Sequence, residues 1–187
     1  PFQGSGYHVA NACIEAGIAY LDLADARDFV SNIGALDGQA KTAGVPVISG
    51  GSSVPALSGA VVRHLAASFD RVSAIDMAIS ASSKASAGLS VASAILSYVG
   101  KPVKLWTGRD WQAQAGWSDL RWETFALSGK LPMRRLVALA DVPDHQLLPE
   151  RVAGKPVVTF RAGPEFAFQT IALWLLGWLV RLRVARS

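Results

Sequence analysis

Up to Phe69 the apolar positions switch back and forth between helical and strand spacing. Val9, Ala12, Cys13 and Ala16 recur at three- and four-residue intervals, so a helix is expected here, with Ser5 as its cap and Gly17 as its stop. Ile18 to Leu23 is a short apolar run with Tyr20 inside it, the pattern of a strand buried on both faces. A second helix is predicted from Arg27 to about Ala43, with Phe29, Val30, Ile33, Leu36 and Ala40 on one side and Gly44 after it. Val45 to Ile48 reads as another short buried strand. A third helix follows, capped by Ser52 or Ser53, with Pro55 near its first turn and Leu57, Val61, Val62 and Leu65 as its apolar face. Strands alternating with helices over short connections predict parallel strands joined by right-handed crossovers, the C-terminal half of a Rossmann-type sheet.

Beyond Phe69 the rhythm changes. Arg71 to Ser80 alternates, with Ile75, Met77 and Ile79 on one face and Asp76 on the other. A small-residue helix is expected after Gly88, with Val91, Ala94, Ile95 and Tyr98 turned inward. Strands are expected at Val103 to Thr107, Trp122 to Leu127, Leu136 to Ala140 and Val157 to Arg161, and a last helix at Phe166 to Val180. The expected organisation is therefore α/β plus α+β: part of a doubly wound parallel sheet over 1–69, then a mostly antiparallel sheet with helices on one face over 70–187.

Composition narrows the function. At 187 residues and 51% apolar, the chain can bury a sizeable core. The net charge of +4 is uneven, because up to Phe69 three basic residues face five acidic ones and the remainder carries +6. The basic residues of that remainder are scattered among Asp, Glu and Trp without forming a stripe, so nucleic-acid binding is not expected; a solvated surface is the first reading and attraction of a small carboxylate the second. Cys13 is the single cysteine and lies within an apolar helical face, which suits core packing better than nucleophilic chemistry. No basic-then-apolar leader is visible, the expected location is cytoplasmic, and the opening at Pro1 reads as a cut through a larger protein or a processed start. Phe166 to Val180 is nearly all apolar and precedes Arg181, Arg183 and Arg186; being shorter than the roughly 20 residues of a spanning helix, it is expected to pack internally or against a partner chain.

In a doubly wound sheet, ligands bind beyond the carboxyl ends of the strands, which directs attention to Pro1–Gly6, Asp22–Arg27 and Ser49–Ser53. Ser49–Ser53 combines two glycines that permit close backbone approach with two serines at a helix start; an anion or carboxamide site and a well-capped helix need the same residues. Neither GxGxxG nor GKS/T is present. Asp22 or Asp25 has the chemistry to position a ribose, a nicotinamide amide or a substrate amine, and Asp25 equally to cap the helix at Arg27. His8, His64 and His145 have no Cys or Glu at ligand spacing, so no metal site is expected. Trp106, Trp111, Trp117 and Trp122 with Arg109 and Arg121 form a cluster in sequence, readable as a pocket lining or as packing on a sheet face.

Taken together, these segments resemble the saccharopine dehydrogenase-like family. Pro1-Phe2-Gln3-Gly4 looks like the end of that family's Gly-Pro-Phe loop, and Ala12-Cys13-Ile14-Glu15-Ala16-Gly17-Ile18-Ala19-Tyr20-Leu21-Asp22-Leu23-Ala24-Asp25 like its next helix and strand. Ala43-Gly44-Val45-Pro46-Val47-Ile48 and Ser53-Val54-Pro55-Ala56-Leu57-Ser58 look like the strand and helix leading into the second domain, with looser similarity through Ala140-Asp141-Val142-Pro143-Asp144 and Thr159-Phe160-Arg161-Ala162-Gly163. The resemblance implies hydride transfer between NAD or NADP and an amine or imine carbon of a substrate bearing carboxylate and amine groups. A homodimer without membrane attachment is expected. The resemblance makes 1–69 a partial dinucleotide-binding domain and 70–187 a substrate or dimerisation domain, and places Phe2 and Gln3 beside the nicotinamide and Asp22, Asp25, Ser52, Ser53 and Pro55 near the reacting centre. Arg109 and Trp111, from the tryptophan and arginine cluster, are the substrate contacts expected from the sequence itself. The phosphate-binding glycines of the family are not in this sequence, so the parent is expected to be the active species and this portion inactive, binding no cofactor by itself. The alternative is a non-catalytic binding or dimerising protein of the same fold, its contact made by the second sheet and the last helix or by that helix on a membrane surface.

Overall fold

The computed structural model describes residues 2–83, 88–126 and 128–182. In chain order the elements are α1 (His8–Glu15), β1 (Tyr20–Leu21), α2 (Arg27–Asn32), α3 (Asp37–Ala43), β2 (Val47–Ile48), α4 (Ser58–Ala66), β3 (Ala74–Ser80) and α5 (Leu89–Ser97). There follow β4 (Pro102–Trp106), β5 (Trp111–Ala115), β6 (Arg121–Phe125), β7 (Met133–Leu139), α6 (Asp144–Arg151), β8 (Val157–Gly163) and α7 (Ala167–Arg181). They form two compact units of a mixed α/β protein, one of Pro1–Ser73 with Val142–Pro156, the other of Ala74–Asp141 with Val157–Ser187. The boundary thus falls after Ser73, and Val142–Pro156, assigned from sequence to the second domain, packs with the first.

In the first unit, glycine sets both helix-to-strand turns. Gly17 and Gly44 each take a φ of +68°, the left-handed conformation that L side chains avoid. Ile18 N–H returns to the Cys13 carbonyl at 2.8 Å and Val45 N–H to that of Ala40 at 3.1 Å, so α1 and α3 end in the same way, each feeding a strand. The strands pair in parallel, Tyr20 with Val47 and Leu21 with Ile48. Tyr20 and Val47 pack on Ala10, Ile14, Leu36 and Ala40. The opposite face is open, with Leu21 65% and Ile48 53% exposed.

That open face corrects the expectation of strands buried on both sides. The first helix is also corrected: Tyr7, not Ser5, precedes it, and it buries Ala10 and Ile14 while Val9, Ala12 and Ala16 stay exposed. The predicted second helix is broken by a 3₁₀ turn at Ile33–Leu36, yet all five apolar positions named for it are buried or half-buried. In α4 only Val62 of the predicted face is buried, and neither Ser52 nor Ser53 caps a helix with its side chain.

In the second unit a four-stranded sheet runs in the order β3-β8-β7-β6. β3 and β8 are parallel over Ala74↔Val157 to Ser80↔Gly163, whereas β8 with β7 and β7 with β6 are antiparallel. The sheet curls, since Arg121 on one outer strand reaches Asp76 on the other at 2.8 Å. β4 and β5 form a separate hairpin with Trp106 opposite Trp111. Val99, Trp117 and Ala138 form a core against which Ile95, Tyr98, Leu173 and Leu176 pack.

Candidate functional site

The three strand-end segments singled out in the sequence are brought together in the first unit at the carboxyl ends of β1 and β2. The ring of Phe2 lies 5.0 Å from that of Phe29, and the Tyr7 hydroxyl donates to the Phe29 carbonyl at 2.7 Å. These contacts anchor the opening segment on α2. Gln3 Nε2 then donates to Asp25 Oδ1 at 3.4 Å, while Gln3 Oε1 is buried with no hydrogen-bond partner. No side chain caps α2, whose preceding residue is Ala26, so Asp25 faces the opening segment instead of closing the helix. Pro1 lies outside the described residues.

Asp22 is the hub of the other two segments. Its Oδ1 accepts from Ala24 N–H, Ser49 Oγ and Gly50 N–H, each at 2.9 Å, and its backbone carbonyl accepts from Gly51 N–H at 2.8 Å. The carboxylate is buried, and Oδ2 has no hydrogen-bond partner. The neighbouring Tyr20 phenol is pushed up to about 12, first by burial and then by this carboxylate. A side chain on Gly50 would run into the Pro55 ring, so glycine lets this turn close on Pro55. Ser52 Oγ donates to the Val54 carbonyl at 2.8 Å, whereas Ser53 is exposed. Asp22, Ser52 and Pro55 therefore shape the loop, and Phe2, Gln3 and Asp25 present a flat apolar ring, an amide and an exposed carboxylate beside it. That set can accept and donate hydrogen bonds to a carboxamide or a hydroxyl.

The expected substrate contacts belong to the second unit. Arg109 is exposed in the turn of the β4–β5 hairpin, where Thr107 Oγ1 donates to Asp110 Oδ1 at 2.6 Å, and Trp111 packs its ring 5.7 Å from Trp106. Trp117 is core, its indole donating to the Ile95 carbonyl at 3.3 Å, and Trp122 lies under Arg134 at 5.3 Å.

Two polar constellations escaped the sequence reading. At the start of α6, Asp144 and His145 are 1% and 0% exposed. Ser58 Oγ donates to Asp144 Oδ1 at 2.7 Å, and Asp144 Oδ2 is buried with no hydrogen-bond partner. Burial raises the Asp144 carboxyl above its ordinary range, and burial together with the Arg27 charge pulls the His145 imidazole down to about 3. In the second unit the buried Arg161 donates through Nε to Asp119 at 3.0 Å and through Nη1 to Asp76 at 2.7 Å. Arg121 bridges Asp76 and Glu123, beside an open cavity of about 310 Å³. Neither group follows a sequence period, because each is assembled from separate elements.

Among the described residues no group of His, Cys, Asp and Glu is placed to hold a metal ion, and no helix is long and apolar enough to cross a membrane. No family model and no curated protein matches the chain.

Proposed function

We propose that this chain is part of a saccharopine dehydrogenase-like oxidoreductase that moves a hydride between NAD or NADP and the amine or imine carbon of an amino-acid-type substrate. The observation that carries the reading is the meeting of Phe2–Gln3, Asp22–Asp25 and Ser49–Ser53 at the carboxyl ends of a parallel strand pair, where doubly wound sheets bind ligands. The open face bearing Leu21 and Ile48 further suits a pair of strands that belongs to a larger Rossmann-type sheet covered on both sides.

The residues present fit the nicotinamide end of such a cofactor. The Gln3 amide and the Asp25 carboxylate offer donor and acceptor to its carboxamide or ribose, and Phe2 offers a flat apolar surface. Asp22 holds the loop in shape and orients Gly50 and Gly51. When bound, the nicotinamide supplies the hydride acceptor or donor. The sequence contains no GxGxxG turn, so this chain by itself is expected to bind the cofactor weakly.

Titration of the intact parent with NADH and NADPH, followed by nicotinamide fluorescence, tests the reading. Saturable enhancement is expected, and no response to either at millimolar concentration overturns it. Gln3→Ala or Asp25→Ala is expected to weaken binding roughly tenfold, the loss of one good hydrogen bond of about 1.4 kcal/mol. A second reading, a binding protein that keeps the fold without catalysis, is favoured by Asp22 and Ser52 spending their hydrogen bonds on their own loop. It predicts no nicotinamide response.

A further inference from the structure

α7 is held to its unit by one face. Thr170 Oγ1 donates to the Leu136 carbonyl at 2.9 Å, Leu173 and Leu176 pack on the Val99–Trp117–Ala138 core, and the buried Gly177 lets the backbone at Gly100 and Gly116 approach. The opposite face is apolar and uncovered. Phe168, Ile171, Leu175, Trp178 and Leu182 follow one another at alternating three- and four-residue intervals, with Leu179 beside them; Phe168 is 67% and Leu182 65% exposed, and the others are close to half exposed. Intervals of three and four, repeated, are those of a helix that packs lengthwise on another helix.

We propose that this stripe is the contact surface for a second copy of the chain, with the two α7 helices antiparallel and crossing at Leu175. Area supports the choice of occupant. At about 150–250 Å² for a large side chain, the six exposed residues leave roughly 600 Å² uncovered, the upper end of what a monomer leaves in one patch. Two such stripes bury on the order of 1,200 Å², within the range of specific interfaces. Charge decides the direction. Arg181, stacked on Trp178 at 3.9 Å, is the one charged residue within the helix, and Glu165, which accepts from Ser83 N–H at 2.7 Å and lies 3.7 Å from Arg135, stands just before its start. Parallel packing sets Arg181 against Arg181. Antiparallel packing about Leu175 brings it within about four residues, or roughly 6 Å along the axis, of Glu165 in the second copy.

Sedimentation equilibrium at tens of micromolar is expected to show a dimer, weakened roughly thirtyfold or more by Leu175→Glu, which puts two carboxylates face to face at the crossing. Leu175 is exposed, so the variant should keep the wild-type circular dichroism. In a Cys13→Ser background, Leu175→Cys is expected to form an intermolecular disulfide under oxidation and Phe168→Cys is not. A monomeric wild type, a dimer indifferent to Leu175→Glu, or cross-linking through Phe168→Cys but not Leu175→Cys overturns the proposal. Equally, a monomer that sediments with anionic phospholipid vesicles gives this face to a lipid surface instead.

Discussion

Asp22 concentrates more of the first unit's polar bonding than any other side chain described above. Replacing it with alanine removes one acceptor from three donors, two of them backbone amides, and is expected to cost about 2–3 kcal/mol in urea unfolding. Asp22→Asn keeps an acceptor oxygen in place and should recover most of that loss. His145 gives a pH signature. Its imidazole stays neutral in the folded protein down to about 3, whereas in the unfolded chain it gains a proton below its ordinary value of 6.5. Between those values the unfolded state binds the extra proton, so stability falls as pH falls from 6.5 toward 3. The adjacent Asp144, raised from 3.8, works in the opposite sense, favouring the folded state on the acid side. His145→Gln is expected to flatten the acid limb of a stability–pH curve by up to one proton, about 1.4 kcal/mol per pH unit.

Helices and strands show where sequence was informative. Gly17 and Gly44 announce the ends of α1 and α3 because a left-handed residue is a chemical requirement of those turns, and Gly17→Ala or Gly44→Ala is expected to cost about 1 kcal/mol by thermal unfolding. Nothing packs where the new methyl groups would lie, so the cost is conformational. The apolar side of Arg27–Ala43 was legible because its five positions, four of them larger than alanine, are consistently spaced. The faces of α1 and α4 were not, because Ala and other apolar residues are spread around both helices and the sequence does not say which side packs inward. β5 was invisible, since Trp111–Gln114 are exposed on both faces and a strand without a buried side has no alternation to read. α6 was missed because its inward residues include Asp144 and His145, which look like surface. The strand-end segments were found by position in a parallel sheet, whereas the bonds that join them, Gln3 to Asp25 and Asp22 to Ser49, span 22 and 27 residues and carry no local pattern.

Across the whole molecule, the bond between Ser58 and Asp144 joins residues 86 apart in the chain and ties α6 to α4. A double-mutant cycle of Ser58→Ala with Asp144→Asn is expected to show a coupling of about 1 kcal/mol, which a merely adjacent α6 would not give. Leu147 does the same for α6 and the Phe29 cluster by apolar contact. A ribosome releasing this chain therefore emits most of the first unit early but withholds α6 until Pro156 has emerged, by which time β3 to β7 have already been made. The early segment must wait with its α6-facing side bare, and no single cut in the gene separates one complete unit from the other.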